Sequence, residues 1–272
     1  MTTSTRETLR LATTSSVEGS GLLELLAPAF GNTAGGMALE ISPVGTGMAL
    51  EMGRAGEADA LIVHDQEREL RFLDTGHGVN RREFMTNDFI LVGPPDDPAR
   101  VASAGNIYEA LEIIHDHQVL FFNRADDSGT NLREIDLWAG MALLPFGRPW
   151  YKPARGGMAA CLEAASTAGA YTLTDRGTYL SRAGSLKLRV LCEDSRHLRN
   201  PYSIIVINPA FHPRVRYQEA MALVAFLTGE AGQRLIRDFK RNGQSLFYPL
   251  WNPDGATPSM ISATPEKTGS RP

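Results

Sequence analysis

The residues in this chain that could do chemistry are short runs of hydroxyls and glycines, with an occasional arginine, each placed just after a predicted strand. After Leu9 to Ala12 come Thr13, Thr14, Ser15 and Ser16, then Gly19 and Ser20 opening a helix. After Leu39 to Val44 come Gly45, Thr46 and Gly47, again at a helix start. The strand Val119 to Phe122 leads into Asn123, Arg124, Ala125, Asp126, Asp127, Ser128, Gly129 and Thr130. Tyr171 to Leu173 leads into Thr174, Asp175, Arg176, Gly177 and Thr178. Hydroxyls donate O–H, glycines let backbone N–H groups come close, and a helix N-terminus presents unpaired N–H groups at the positive end of its dipole. Such a set favours an anion. A tetrahedral oxyanion ionised at neutral pH has only acceptor oxygens, so its cage needs OH and N–H donors, one arginine and no facing carboxylate.

Each loop also has an ordinary structural reading. Ser and Thr ahead of a helix are N-caps, and Gly-Thr-Gly after a strand is a common turn. Arg124 beside Asp126 and Asp127 reads equally as a surface ion pair, and Thr174 to Thr178 as a capped helix start with Asp175 and Arg176 paired locally. What favours the anion is that all four loops fall at the carboxyl ends of strands, where open α/β sheets place their ligands. A carboxylate facing a dianion is strongly unfavourable at low dielectric. Asp126 and Asp127 are therefore expected to face away, capping the following helix and holding Arg124 in one rotamer. His64, after the strand Ala60 to Val63, is open to a hydrogen-bonded structural role or to a ligand contact from the cleft edge. His115 and His117 sit at alternate positions of a helix end and do not converge on one metal ion. There is no GxSxG, P-loop or HExxH, so the chain is not read as an enzyme and no cofactor is implied.

The elements that must position these loops alternate strand and helix. Leu22, Leu23, Leu26 and Phe30 recur at helical spacing. Further helices are expected from about Gly47, around Glu67 to Leu73, over Ile107 to Ile114, Gly129 to Met141 and Met158 to Ala168, with a last strand of the series at Leu188 to Leu191. The alternation implies a parallel sheet covered on both faces by helices. Two Pro-flanked strands, DFILVGPPDDPA and RNPYSIIVINP, read as crossovers between lobes, because Pro cannot continue a central strand. Two helices, around Tyr217 to Leu227 and Glu230 to Phe239, have no sheet of their own and are expected to return to the first lobe. The division expected is 1–92 with 202–251 as lobe I, 93–201 as lobe II, and 252–272, rich in Pro, Ser, Thr and Gly, as a loosely docked tail.

At 272 residues and 43% hydrophobic, the chain has enough apolar surface for two moderate cores. Its net charge of −4 lacks the basic footprint of a nucleic-acid binder. Runs such as ALIV and SIIVI fall far short of the roughly 20 apolar residues of a membrane span. Cys161 and Cys192, without CxxC spacing, are expected as buried free thiols, with a disulfide between them the alternative. The opening MTTSTRETLRLATTSS has no apolar signal core, which leaves open an extracytoplasmic protein whose leader was replaced or a cytosolic one.

Beyond this residue-level reading, LRLATTSS followed by SGLLE, VGTGMALEMGRAGEADALIVH, GVNRREFMTNDFILVGPPDDPA, RADDSGT, AYTLTDRGTYL and NPYSIIVINP resemble, in order, the signatures of tungstate-binding proteins of ABC importers. The resemblance runs from about Leu9 to Pro249. It implies an α/β, two-lobed periplasmic-binding-protein-like type II fold with an oxyanion, tungstate or molybdate, in the cleft between lobes. It also implies an ABC permease as partner; the chain is expected to act as a monomer, without membrane insertion. The family's TTTS stands here as Thr13, Thr14, Ser15, Ser16; its arginine before DDSGT falls on Arg124 and its nearby donor hydroxyls on Ser128 and Thr130. With Thr46 and Thr174 these are the candidate ligand-binding residues. A cytosolic oxyanion sensor or store, and an enzyme on the same fold, are the alternatives.

Overall fold

The computed structural model describes residues 8–251 except 242, and of Ser15 and Ser16 only the backbone. The predicted tail, 252–272, lies outside the described residues.

The first lobe opens with β1 (Thr8–Thr14), α1 (Ser15–Ser20), α2 (Leu22–Thr33), β2 (Ala38–Val44), α3 (Thr46–Ala55), β3 (Ala60–Val63) and α4 (Gln66–Asp74). Alternation along β1 sends Leu9 and Leu11 to one face, under the Leu22, Leu23, Leu26 and Phe30 stripe of α2. Ala12 faces the other side, with Ala49 and Leu50 of α3 and Phe72 of α4. One expectation fails here. The helix expected to open at Gly19 instead starts at Ser15 and is interrupted at Gly21, whose φ of 84 is left-handed and favours glycine, before α2 begins.

The two lobes share the long strand β4 (Gly78–Gly93). It is followed by α5 (Ile107–His117), β5 (Phe121–Asn123), α6 (Gly129–Gly140), β6 (Tyr151–Pro153), α7 (Gly157–Ala168), β7 (Thr172–Asp175), α8 (Arg176–Arg182), β8 (Arg189–Cys192) and the returning strand β9 (Arg199–Ile207). Up to Asp88, β4 pairs antiparallel with β9; from Phe89 onward it pairs with β7 and β8. Core packing changes at the same point. Phe89 and Leu91 join Ile107, Leu111, Phe121 and Trp138, while Ile90 and Val92 join Cys161, Leu162 and Leu188. Pro94 and Pro95 follow the strand rather than interrupt it.

The expected all-parallel sheet is also corrected. β1 is parallel to β2 and β3, but β9 inserts antiparallel between β3 and β4. β9 carries the chain back from the second lobe while β4 carries it out, so the two run in opposite senses. After it, α9 (Tyr217–Thr228) and α10 (Glu230–Asp238) return to the first core, where Ala220, Leu223, Leu227 and Ile236 pack with Leu9, Leu11 and Phe30. The short strands β10 (Lys240–Arg241), β11 (Gln244–Ser245) and β12 (Tyr248–Pro249) follow, β12 pairing with β4.

Cys161 and Cys192 are buried free thiols, and burial pushes them up to about 11 and about 12. Among the described residues no helix is long and apolar enough to cross a membrane, and no cluster of ligating side chains could hold a metal ion. His115 turns to Asp116, and His117 to the carbonyl of Ile113.

Candidate oxyanion-binding site

In the first lobe the strand register aligns the loops. Thr13 sits opposite Pro43 and Ile62, and Thr14 opposite Val44, so β1, β2 and β3 end together. Past those ends lie Thr14, with α1 behind it; Gly45 and Thr46, opening α3; and His64. Thr13 is fully buried and its hydroxyl has no hydrogen-bond partner. An unmet buried hydroxyl costs about 1–3 kcal/mol, which an acceptor oxygen would relieve. Thr14 is buried and Thr46 half-buried. The side chains of Ser15 and Ser16 lie outside the described residues.

The second lobe repeats the arrangement. Asn123 is level with Pro153, and Phe121 bridges Tyr171, so β5, β6 and β7 also end along one line. The loop after β5 winds tightly, with Ala125 at φ 48 and Asp127 at φ 53. Asn131 Oδ1 accepts from both Asp126 N and Asp127 N at 3.2 Å. Ser128 caps α6 by accepting from Asn131 N. The aspartates were expected in that role; the sharp turn leaves the hydroxyl one residue before the helix and carries the carboxylates elsewhere. Asp126 does hold Arg124, its Oδ2 accepting from Nε at 3.0 Å and Nη2 at 2.6 Å. Burial raises the Asp126 carboxyl, but hydrogen bonds from Ser128 and Arg124 outweigh it and keep the group below its usual range. Thr130 is buried, and Thr174, fully buried, donates to the Asp175 carbonyl at 3.1 Å.

Arg176 is not paired with Asp175. Asp175 caps α8, accepting from Thr178 N at 2.8 Å and Thr178 Oγ1 at 2.7 Å. Arg176 reaches instead to the crossover strand, donating to Asp88 at 2.8 and 2.5 Å and to Glu193 at 2.5 Å. Arg155 is exposed. Arg124 is thus the arginine of these strand-end loops that is tied only to a neighbour within its own loop.

The lobes touch where these loops end. A Cβ built on Gly129, the first residue of α6, would lie 2.9 Å from His64 Cε1. The negative charge of Asp175 acts on the same imidazole. Leu180 of α8 packs against cores of both lobes. Two cavities open along the seam. One of ≈ 160 Å³ lies between α1 and α8, lined by Gly19, Ser20, Gly177, Thr178 and others; one of ≈ 690 Å³ lies between α4 and α6, reaching His64, Gly129 and Asn200. Neither is lined by Thr13, Thr14, Thr46, Arg124, Ser128, Thr130 or Thr174.

Residues 2–231 match the model of the PBP superfamily domain. The tungstate-binding protein TupA of Peptoclostridium acidaminophilum is 38% identical over 251 residues, covering 91% of this chain and 87% of that protein. The chain belongs to the TupA family of the PBP superfamily. Solved structures agree with the assignment. The tungstate-binding protein TupA from Desulfovibrio alaskensis G20 superposes on this TupA-family chain with a TM-score of 0.84 at 39% identity, covering 89% of this chain and 98% of that one. The tungstate ABC transporter structure from Geobacter sulfurreducens gives a TM-score of 0.77 at 40% identity, covering 86% and 99%. The α/β, two-lobed type II architecture expected from the sequence is therefore the architecture of the family and of this chain.

Three features of this TupA-family seam escaped the sequence reading: the Arg176–Asp88 clamp, the Gly129–His64 contact, and an amide network at the crossover. In that network Asn200 Nδ2 donates to Asn87 Oδ1 at 2.7 Å, and Asn87 Nδ2 to the Tyr202 hydroxyl at 3.2 Å. The asparagine ahead of Pro201 was the one local signal, and nothing local names its partner.

Proposed function

We propose that the chain captures tungstate, or molybdate of the same shape, between its lobes as the substrate-binding component of an ABC importer, on the outer side of the membrane. What supports the reading is that each lobe ends its strands level in donor-rich loops and that the lobes meet at Gly129 and His64 beside those loops, in a chain whose relatives bear the name tungstate-binding protein. The donors are Thr13, Thr14, Ser15, Ser16 and Thr46 from the first lobe and Arg124, Ser128, Thr130 and Thr174 from the second. Arg124 supplies the full positive charge, and α6 adds the N–H groups of its first turn.

Capture proceeds by dehydration and lobe closure. Charge-assisted hydrogen bonds contribute roughly 1.5–3 kcal/mol each, against about 12 kcal/mol net for nanomolar affinity, so six to eight donors are enough to offset lost hydration. The lobes pivot on β4 and β9, and the division on β4 falls between Asp88 and Phe89, where its partners and core change, rather than after residue 92 as expected from the sequence. Size selects tungstate and molybdate over the smaller sulfate. The protein acts as a monomer that delivers its ligand to the permease.

The test is a thermal-shift panel of tungstate, molybdate, sulfate, phosphate and chromate. Tungstate at a thousand times its dissociation constant is expected to add about 4 kcal/mol of stability. An equal shift with sulfate contradicts the size-selective cage.

A further inference from the structure

His64 is not among the donors just described, yet it meets the seam at Asn200, Tyr202 and Gly129. Its Nδ1 lies 3.1 Å from Asn200 Oδ1. Because Asn200 directs its amide N–H groups to Asn87, its oxygen faces the imidazole, so Nδ1 carries the proton and donates. The ring packs against Tyr202 in a tilted arrangement, centroid to centroid 4.6 Å at 37°. Asn200 and Tyr202 lie on β9 and Asn87 on β4, so the imidazole is anchored directly to β9 and, through Asn200 and Asn87, linked to β4. Burial pushes His64 below its usual range, against the raising influence of Asn200, Asp175 and Asp65, and the neutral ring is the form that packs here.

The Cε1 edge of the ring meets Gly129. This glycine does not have a positive φ, so the backbone does not demand glycine there. Space does: a Cβ would stand 2.9 Å from His64 Cε1 and 3.5 Å from Nδ1. Gly129 begins α6, directly after Ser128 and before Thr130, so whatever fixes Gly129 fixes the turn carrying those hydroxyls and, through the tight loop, Arg124.

We infer that His64 is a positioning residue for oxyanion capture: anchored to β9 and linked through Asn200 to β4, it receives the first turn of α6 through Gly129 and registers the second lobe's donors against the first lobe's when the cleft closes. The chain of contacts runs from Asn87 and Asn200 through His64 to Gly129. It couples the pivot to the ligand loop without touching the ligand.

The affinity arm of the test rests on the tungstate reading; the stability arm does not. The variants are Gly129→Ala, His64→Ala and the double variant, each titrated calorimetrically with sodium tungstate and melted without it. Gly129→Ala in the wild-type background is expected to weaken tungstate binding about tenfold or more, since overfilling a packed contact prevents closure. In the His64→Ala background the same change should cost no further affinity, because the obstruction is gone. The unliganded melts carry the same signature. At a helix position with ordinary φ, Ala is intrinsically favoured over Gly, so Gly129→Ala should raise the melting temperature where His64 is absent and lower it where His64 is present. Additive effects in both measurements, or wild-type affinity in Gly129→Ala, overturn the inference. Failure of wild type to bind tungstate removes the function proposed above, and the sign of the melting shift in the two backgrounds then decides the positioning role alone.

Discussion

Replacing Arg124 by Ala removes the full positive charge assigned to the ligand. The side chain is 19% exposed and its Nε and Nη2 both bond to one oxygen of Asp126, which leaves the rest of the guanidinium fork for an oxyanion. Stripping one partner from a buried charge pair costs about 3–5 kcal/mol, and partial exposure puts Arg124 at the low end, about 3 kcal/mol or ~10²-fold in affinity. Lys should recover only part of that, because an ammonium cannot hold Asp126 and present planar two-point contact to the ligand at once. The unliganded fold is expected to change little: the loop keeps its Asn131 and Ser128 bonds, and a partly exposed Asp126 without its arginine costs up to about 1 kcal/mol. The assay is calorimetric titration of tungstate into wild type, Arg124→Lys and Arg124→Ala, with urea unfolding of each protein without ligand. Affinity in Arg124→Ala within threefold of wild type refutes the assignment.

Two further perturbations probe the scaffold. Arg176→Ala breaks the paired contact to Asp88, a carboxylate 4% exposed, and should lower the unfolding free energy by about 3 kcal/mol in urea; a loss below about 1 kcal/mol would show that the clamp is not stabilising. Glu134 is buried, and burial pushes its carboxyl up to about 8 despite hydrogen bonds from Tyr151 at 2.6 Å and Trp138 at 3.0 Å. A pKa raised in the fold means that stability is fully present below the unfolded value, near 4.5, and is lost as pH climbs through about 8, by up to about 5 kcal/mol. Glu134→Gln keeps the acceptor oxygen and removes the titration, so its stability should be flatter between pH 5 and pH 9; equal slopes in the two proteins contradict the buried-carboxyl account.

Local signals made the strand ends readable. Leu9, Leu11 and Ala12 alternate, Leu22 to Phe30 recur at helical spacing, and a hydroxyl- or glycine-rich loop follows each strand, so β1, β2, β5, β7 and the helices after them were placed within a few residues. The single break within that success, at Gly21, needed a backbone angle that a second nearby glycine obscured. Proline misdirected the reading of β4: attention fell on Pro94 and Pro95, which end the strand, while the change of partner lies at Asp88 and Phe89, where the sequence passes from a polar stretch holding Arg81, Arg82, Glu83, Asn87 and Asp88 to the apolar run Phe89 to Val92. The insertion of β9 between β3 and β4 follows from where the chain has to return, not from any residue in β9. The seam contacts were hidden for the same reason. Asp88 and Arg176 are 88 residues apart and His64 and Asn200 136 apart, and each residue alone fits a dozen ordinary roles. Gly129 looked like part of a donor loop, and only its neighbour across the cleft gives it a steric meaning.

The central claim, that one dianion is held where the two edges of strand ends face each other, is tested most directly by locating the metal. A crystal of the protein grown with tungstate, measured at the tungsten absorption edge, should give one strong anomalous peak between the loop at Thr13 to Ser16 and the loop at Arg124 to Thr130, within hydrogen-bonding reach of the Arg124 guanidinium through its oxygens. A peak on the far side of the first lobe, such as the cavity lined by Arg10, Arg214 and Arg216, with none at the seam, would contradict it.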